Sequence, residues 1–500
     1  MSEGDDEMDR LIGRLHHERD ARLDDGRPEA VAKQHARGAL TARERVALLC
    51  DPTSFVELGM MAAPATPGLD GAADGVVVGF GKVDGLPVAV ASYDYTVLAG
   101  SQGQIGHRKL ERLFTRVAQE RCPLVILSEG AGARVHDLNP TPGQGTTTFV
   151  QLARLAAVVP IIGAALGHAY AGHANLLGLC DVIIGRIDAT MGMSGPPLVE
   201  AALGTRPRPE ELGPMKVHQE SGVADVVVQT DQDAVQAIKT WLSFLAPSDK
   251  GFEPPPVRDL RGAVPANGRR AYDVRRVVEL LTDDGSFREL RAKFAPNVLT
   301  GVGRIGDRQV AIIANQPRSK AGALDSNASD KAARFTQLAD AWRLPILFLV
   351  DTPGYMVGPA AERTGLIRHS SRMLVELANA QSPVITVVLR KAFGLGYYAM
   401  GSAPFSPRAL MAWPTAQFGG MSLKGAASII EADSGSPEAA AGDIEQELTH
   451  SHSVWRNAEM FALDDVIDPA DTATLVWRNL ERGADESAWL RGKRHAVSPW

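Results

Sequence analysis

Residue types recur at one fixed spacing along this chain of 500 residues. Gly79, Gly81, Val88, Lys109, Pro123, Gly132 and Gly172 return as Gly301, Gly303, Val310, Lys331, Pro345, Gly354 and Gly394, an offset of 222 (301 − 79 = 222), and Val83 returns as the similar Ile305. That interval is far too long for a solenoid repeat and predicts two copies of one domain-sized unit, each with its own core. With 45% apolar residues, the chain has enough hydrophobic material for both. Two related units predict two related sites.

Charge and cysteine usage exclude several classes. Lys and Arg total 52 against 59 Asp and Glu, so no basic excess exists to neutralise a nucleic-acid backbone. Cys50, Cys122 and Cys180 are too scattered for a zinc ribbon or a disulfide framework, and a reducing cytoplasm is expected. The acidic start MSEGDDEMDR has neither the apolar stretch of a secretory signal nor the character of a transit peptide. The most apolar run, Leu155 to Leu179, is broken by Pro160, His168, His173 and Asn175, so it is expected in a core and not in a bilayer.

The first sixty residues read as helices, with a capping box at Thr41 to Glu44. Each repeat then opens on a hairpin, VVVGFGKVDGLPVAVAS around Asp84-Gly85 and NVLTGVGRIGDRQVAIIA around Gly306-Asp307. A helix follows, near Lys109 to Gln119 and Lys331 to Trp342, and then a buried strand, PLVILSEG or PILFLVDTPG, ending in an acidic residue and glycine. After another helix come the strands PIIGAALG and PVITVVLRK, each running into a small-residue turn and a further helix. Strands alternating with helices predict an α/β unit made twice. Pro254 to Pro256 suit an extended linker, so the expected domains are 1–252 and 253–500.

GHAYAGHANLLGLCD and RKAFGLGYYAMGS occupy equivalent strand-to-helix turns. Such a turn aims unpaired backbone N–H groups outward at the positive end of a helix, a place for an oxygen that becomes negative. Each such donor is worth roughly 2.7–4 kcal/mol of barrier in a dry site. The plain alternative is that these glycines only permit close helix packing; duplication at matched positions favours chemistry. Other motifs lack context. Gly301 to Gly306 spells GxGxxG but precedes a strand, where a dinucleotide fingerprint needs a helix. Met215-Lys216 matches the dipeptide of a biotin attachment site without its hairpin setting. His168 and His173 have no carboxylate or thiol partner for a metal nearby in sequence, and His107, His136 and His218 are dispersed, with no Ser–His–Asp constellation.

From RGALTARERVALLCDPTSFVELG through YDYTVLAGSQGQ, SEGAGAR, ANQP, LDSNASDKAARF, DTPGYMVG, IRH and WPTAQFGGMSLKGA, nearly the whole chain resembles the carboxyltransferase (β) subunits of biotin-dependent acyl-CoA carboxylases. The resemblance implies an α/β fold of tandem duplicated crotonase-like domains. It implies biotin carried on a partner, a biotin carboxylase or biotin carboxyl carrier subunit, and not attached here. An acyl-CoA would be the acceptor, and the assembly a homo-hexamer or larger hetero-complex, with no nucleic acid and no membrane. Carboxybiotin releases carbon dioxide and biotin itself acts as base, so the protein supplies backbone donors in place of an acid or base side chain. The amides of Gly172 and His173 are implied for the thioester oxygen, those of Leu395 and Gly396 for the ureido oxygen, and Ala171, Arg134 and Tyr398 for substrate binding.

Departures from the family pattern leave the acyl group open. His173 and Leu395 stand where the family usually has glycine, and SEGAGAR replaces the common DSGGAR. Tyr398 fills a position that is Asp in propionyl-type members and, with GPPLV and SPRALMAWP, is more similar to the methylcrotonyl-type subgroup. A decarboxylase or transcarboxylase using the same holes, and an inactive assembly scaffold, stay as alternatives.

Overall fold

The computed structural model describes residues 3–134, 137, 145–246, 253–421, 450–482 and 492–499. His136 and most of the segment after Met421, including Lys424 of the last family motif, lie outside these. The chain divides into two compact units, Met1–Ala246 with Leu490–Pro499, and Pro247–Trp489. The C-terminal segment therefore belongs with the first unit, where Lys493 Nζ meets Asp181 at 2.6 Å.

Each unit holds one eight-stranded sheet of the same topology. In the first unit these are β1 (Val56–Leu58), β2 (Val76–Val83), β3 (Leu86–Tyr93), β4 (Leu124–Gly130), β5 (Ile161–Tyr170), β6 (Val182–Arg186), β7 (Thr190–Gly192) and β8 (Val226–Val228). In the second they are β9 (Arg288–Leu290), β10 (Val298–Ile305), β11 (Arg308–Asn315), β12 (Ile346–Thr352), β13 (Val384–Phe393), β14 (Ala409–Ala412), β15 (Gln417–Gly419) and β16 (Asp465–Val466). The orders are β1-β2-β3-β4-β5-β6-β8 and β9-β10-β11-β12-β13-β14-β16, with β7 and β15 added to the ends of β5 and β13. The first three strands of each are antiparallel and the rest parallel. Parallel strands buried on both faces need near-continuous apolar runs, and β4 and β12 are buried throughout.

Local sequence accounts for the element ends. Thr41 Oγ1 accepts from Glu44 N–H while Glu44 accepts from Thr41 N–H, closing the expected capping box. Both hairpin turns have positive φ at their two central residues, Asp84-Gly85 and Gly306-Asp307. One carboxylate holds each turn, Asp51 accepting from both amides of the first and Asp283 from both of the second. Gly301 to Gly306 is thus strand and turn. Met215 is fully buried at the start of the helix Met215–Ser221, so the Met-Lys pair lies on no carrier hairpin. The proline-rich stretch from 253 has no regular structure, yet it is packed and not a free linker: Leu260 and Val264 join the second core.

The offset of 222 holds through β4 and β12 and then lengthens. Leu124 pairs with Ile161 and Ile346 with Val384, so β5 and β13 correspond at 223. The structural counterpart of Gly394 is therefore Ala171, not Gly172; both carry positive φ, 60° and 52°. Gly172 corresponds to Leu395, and His173 to Gly396.

Candidate active site

In the first unit, the turn after β4 and the helix after β5 face one another. Gly132, at φ 98°, turns its carbonyl to Gln102 N–H at 2.8 Å, and Gln102 O accepts from Arg134 N–H at 2.8 Å. The second unit repeats this clasp: Leu324 N–H donates to Gly354 O at 3.0 Å and Met356 N–H to Leu324 O at 2.8 Å. Opposite the first clasp, Ala171 N–H is tied to Gly192 O at 2.9 Å, and the helix Gly172–Gly178 makes its first internal bond from Asn175 N–H to Ala171 O. Among the described residues, no acceptor is found for the amides of Gly172 and His173, nor for those of Leu395 and Gly396 in the helix Gly394–Tyr398. The structure thus places the expected donors at the first turns of matched helices, where such groups are unsatisfied.

The side chains differ. His173 is fully buried, Nδ1 lying 3.0 Å from Ser128 Oγ and Nε2 2.9 Å from Gly100 O, and burial lowers its pKa to about 4. This Ser–His pair is no nucleophile: both members are sealed from solvent. Leu395 is 66% exposed, and Tyr398 is partly exposed with its ring edge-on to Phe405 at 5.3 Å. Arg134 is buried and committed to Asp74, to Asp137 at 2.8 Å and to Ser101 O at 3.0 Å, so it braces the turn and shows no free guanidinium. His107 contacts Thr148 Oγ1, and His218 contacts Met191 O. His168 and Tyr170 both contact Thr190 Oγ1 at 2.9 Å beside the first helix.

Residues without a site role in the sequence reading complete the neighbourhood, although Gln102, Tyr95 and Arg37 lie within the family motifs. Gln102 Oε1 stands 1.9 Å from where a Cβ on Gly172 would lie, and Gln102 Nε2 donates to Tyr93 OH at 3.0 Å. A cavity of about 620 Å³ is lined by Arg27, Lys33, Gln34, Arg37, Tyr95 and Thr96 among others. The Arg37 guanidinium stacks over Tyr95 at 4.3 Å, and Gln34 and Arg37 both reach Glu129, the residue before Gly130.

Comparison with known proteins decides the family. The carboxyl transferase domain model matches residues 33–497. The chain belongs to the carboxyltransferase family. It is 36% identical to the propionyl-CoA carboxylase beta chain of Saccharopolyspora erythraea, over 95% of this chain and 93% of that one. It is 35% identical to the methylmalonyl-CoA carboxyltransferase 12S subunit of Propionibacterium freudenreichii subsp. shermanii, over 98% of each. A solved transcarboxylase 12S hexamer core with methylmalonyl-coenzyme A and methylmalonic acid bound superposes with a TM-score of 0.88 at 33% identity, covering 94% of each chain. This carboxyltransferase is an enzyme of the biotin-dependent acyl-CoA carboxylase type, with tandem crotonase-like domains. No helix among its described residues is long and apolar enough to cross a membrane.

Proposed function

We propose that this carboxyltransferase moves a carboxyl group from carboxybiotin on a separate carrier to the α or vinylogous carbon of an acyl-CoA. The observation that carries the reading is the pair of amide sets, without an acceptor among the described residues, at matched positions of the two units. The amides of Gly172 and His173 would hold the thioester oxygen as it gains enolate charge, and those of Leu395 and Gly396 the ureido oxygen of biotin. The donor chemistry fits both groups, since each presents an oxygen whose negative charge grows during reaction. Carboxybiotin, when bound, supplies the carbon dioxide and the base. The chain's own part is to orient, to exclude water and to stabilise charge.

The cavity at Lys33, Arg37 and Tyr95 suits the anionic nucleotide end of coenzyme A, with cations for phosphate and an aromatic face for adenine. Tyr398, half-exposed on the second helix, would border the acyl group. The His173 ring is buried in the first unit and does not extend into solvent from the turn, which favours an active enzyme over a scaffold. By analogy with the 12S hexamer core, the working form is a hexamer, joined by a biotinylated partner. The test is a screen of acyl-CoA thioesters with a biotin carboxylase and biotinylated carrier supplied. Carboxylation of at least one thioester is expected, and none across short, branched and long acyl groups would refute the reading. Avidin blotting of the chain alone should be negative; a biotinylated band would overturn the separate carrier.

A further inference from the structure

The side chain of His173 has no counterpart in the second unit, because Gly396 stands there and a Cβ on it would lie 2.7 Å from Gly354 Cα. Two other differences accompany this one. Gly130 corresponds to Thr352, and a Cβ at Gly130 would lie 2.2 Å from His173 Nε2. The imidazole therefore fills space that a side chain on the turn takes in the second unit, where Thr352 Oγ1 accepts from Gly354 N–H at 3.2 Å. Tyr93 corresponds to Asn315. In the second unit Asn315 Nδ2 donates to Gly322 O at 3.2 Å; in the first, the matching carbonyl of Gly100 is met by His173 Nε2 at 2.9 Å. Tyr93, relieved of that task, packs its ring edge-on against the imidazole, centroids 4.3 Å apart.

The bonding determines the tautomer. A carbonyl can only accept, so Nε2 carries the hydrogen and Nδ1 of the neutral ring accepts from Ser128 O–H. From one helical residue the ring thus reaches the end of β4 and the turn at Leu98–Gly100, whose positive φ values at Leu98, Ala99 and Gly100 need an outside tether. Contacts continue from Tyr93 OH to Gln102 Nε2 and from Gln102 Oε1 back to Gly172. His173, Tyr93, Gln102 and Gly172 form a closed circuit around the first pair of amides.

We infer that the His173 imidazole is a positioning residue of the first hole, holding the amides of Gly172 and His173 against the turn after β4. This rests on the reading of those amides as the thioester hole, and it assigns to the side chain a role distinct from that of the backbone. A hole displaced by about an ångström costs on the order of a hundredfold in rate. It acts on the charged transition state more than on the bound substrate, so kcat and not KM should carry the loss.

Three proteins test this with carrier and acyl-CoA: wild type, His173→Gly, and the triple variant Tyr93→Asn, Gly130→Thr, His173→Gly, which imports the second unit's arrangement. Circular dichroism and oligomer size establish folding. His173→Gly is expected to lower kcat for acyl-CoA carboxylation about tenfold to a hundredfold, with KM little changed and with carbon dioxide release from carboxybiotin retained. The triple variant should recover most of kcat. A folded His173→Gly with wild-type kcat overturns the inference, as does equal loss of both half-reactions or a folded triple variant that recovers nothing. If His173→Gly does not fold, a folded and active triple variant supports positioning; failure of both to fold assigns the ring a core role instead. Wild-type protein inactive on every thioester refutes the function itself, whereas an active wild type with an unaffected variant refutes only the role of His173.

Discussion

The two units bury a carboxylate at the same point of the same strand, Glu129 in β4 and Asp351 in β12, and neutralise it from different directions. Asp351 is met by Arg390 Nε at 2.8 Å from the adjacent strand, and Arg390 also takes the carbonyls of Pro265, Asn267 and Arg270. The position of Arg390 is Gly167 in the first unit, where a Cβ would lie 2.6 Å from Glu129 Oε1. Glu129 is met instead by Arg45 at 2.6 Å and Gln34 at 2.9 Å, both from the N-terminal helices, and Arg45 also pairs with Asp231 at 2.8 Å. The duplicated backbone requires a countercharge under the turn but not a given residue. In the first unit that need ties the N-terminal helices to the sheet; in the second it ties down the segment after the proline run. Where one buried lysine meets backbone carbonyls, the units agree: Lys109 Nζ reaches the carbonyls of Ala73 and Val76, and Lys331 Nζ those of Ala295 and Val298, the same positions at the offset of 222.

Removing one partner of a buried pair leaves an uncompensated charge, which typically costs about 3–5 kcal/mol. Arg45→Met takes the closest cation from Glu129, leaving it Arg37 at 3.4 Å, and leaves Asp231 with Arg186 at 2.7 Å, so it should destabilise the first unit by less than that; Arg390→Met leaves the Asp351 carboxylate with Lys391, its Nζ at 3.6 Å and its N–H at 3.3 Å, and should cost the second unit up to that amount. Urea unfolding reads both, and adding Glu129→Gln to Arg45→Met should restore part of the loss. A neutral Arg390→Met would break the equivalence of the two carboxylates.

The holes can be separated next. Leu395 is exposed at the start of its helix, where proline fits but brings no N–H. Leu395→Pro should slow both carbon dioxide release and carboxylation by about 10²–10³. At Gly172 a proline must be paired with Gln102→Ala to remove the contact that a Cβ would make, and this double variant should lose carboxylation while keeping carbon dioxide release. Equal loss of both activities in the two folded variants would end the division of labour.

Acid should distinguish the units as well. Burial lowers the folded pKa of His173 from 6.5 to about 4, so the unfolded chain takes up its proton first. The stabilisation, about 3 kcal/mol, is complete above pH 6.5 and is lost as the pH falls through 4. Melts between pH 4 and 7 should show a shallower acid slope for the compensated triple variant than for wild type. An unchanged slope would mean that His173 is not buried as a neutral ring.

The smallest effect expected is on binding. Lys33→Ala, which leaves the Glu129 pairs untouched, should raise KM for acyl-CoA about tenfold, or 1.4 kcal/mol, with kcat held. A larger change for a substrate truncated at the nucleotide end than for the full thioester would move the coenzyme A site elsewhere.

Much of the fold was legible because its signals are local. The capping box spans four residues, the hairpins turn on adjacent positive-φ positions, and the strand-to-helix turns announce themselves by small residues, so the duplication, the α/β layers and the two turns follow from the chain as written, while the choice of four amides within them is what the family resemblance implies. The slip from 222 to 223 could not be read, since Gly172 and Gly394 match by type while the backbone pairs Gly394 with Ala171. Nor could the compensations. His173 meets Gly100 across 73 positions and Arg45 meets Glu129 across 84, distances at which no periodicity links the partners. Sequence alone determined where chain direction and unpaired backbone donors would be, because these depend on near neighbours. Only the tertiary structure decided which side chains fill the space and neutralise the charge behind those donors, because close packing admits one side chain per volume, whichever strand or helix supplies it.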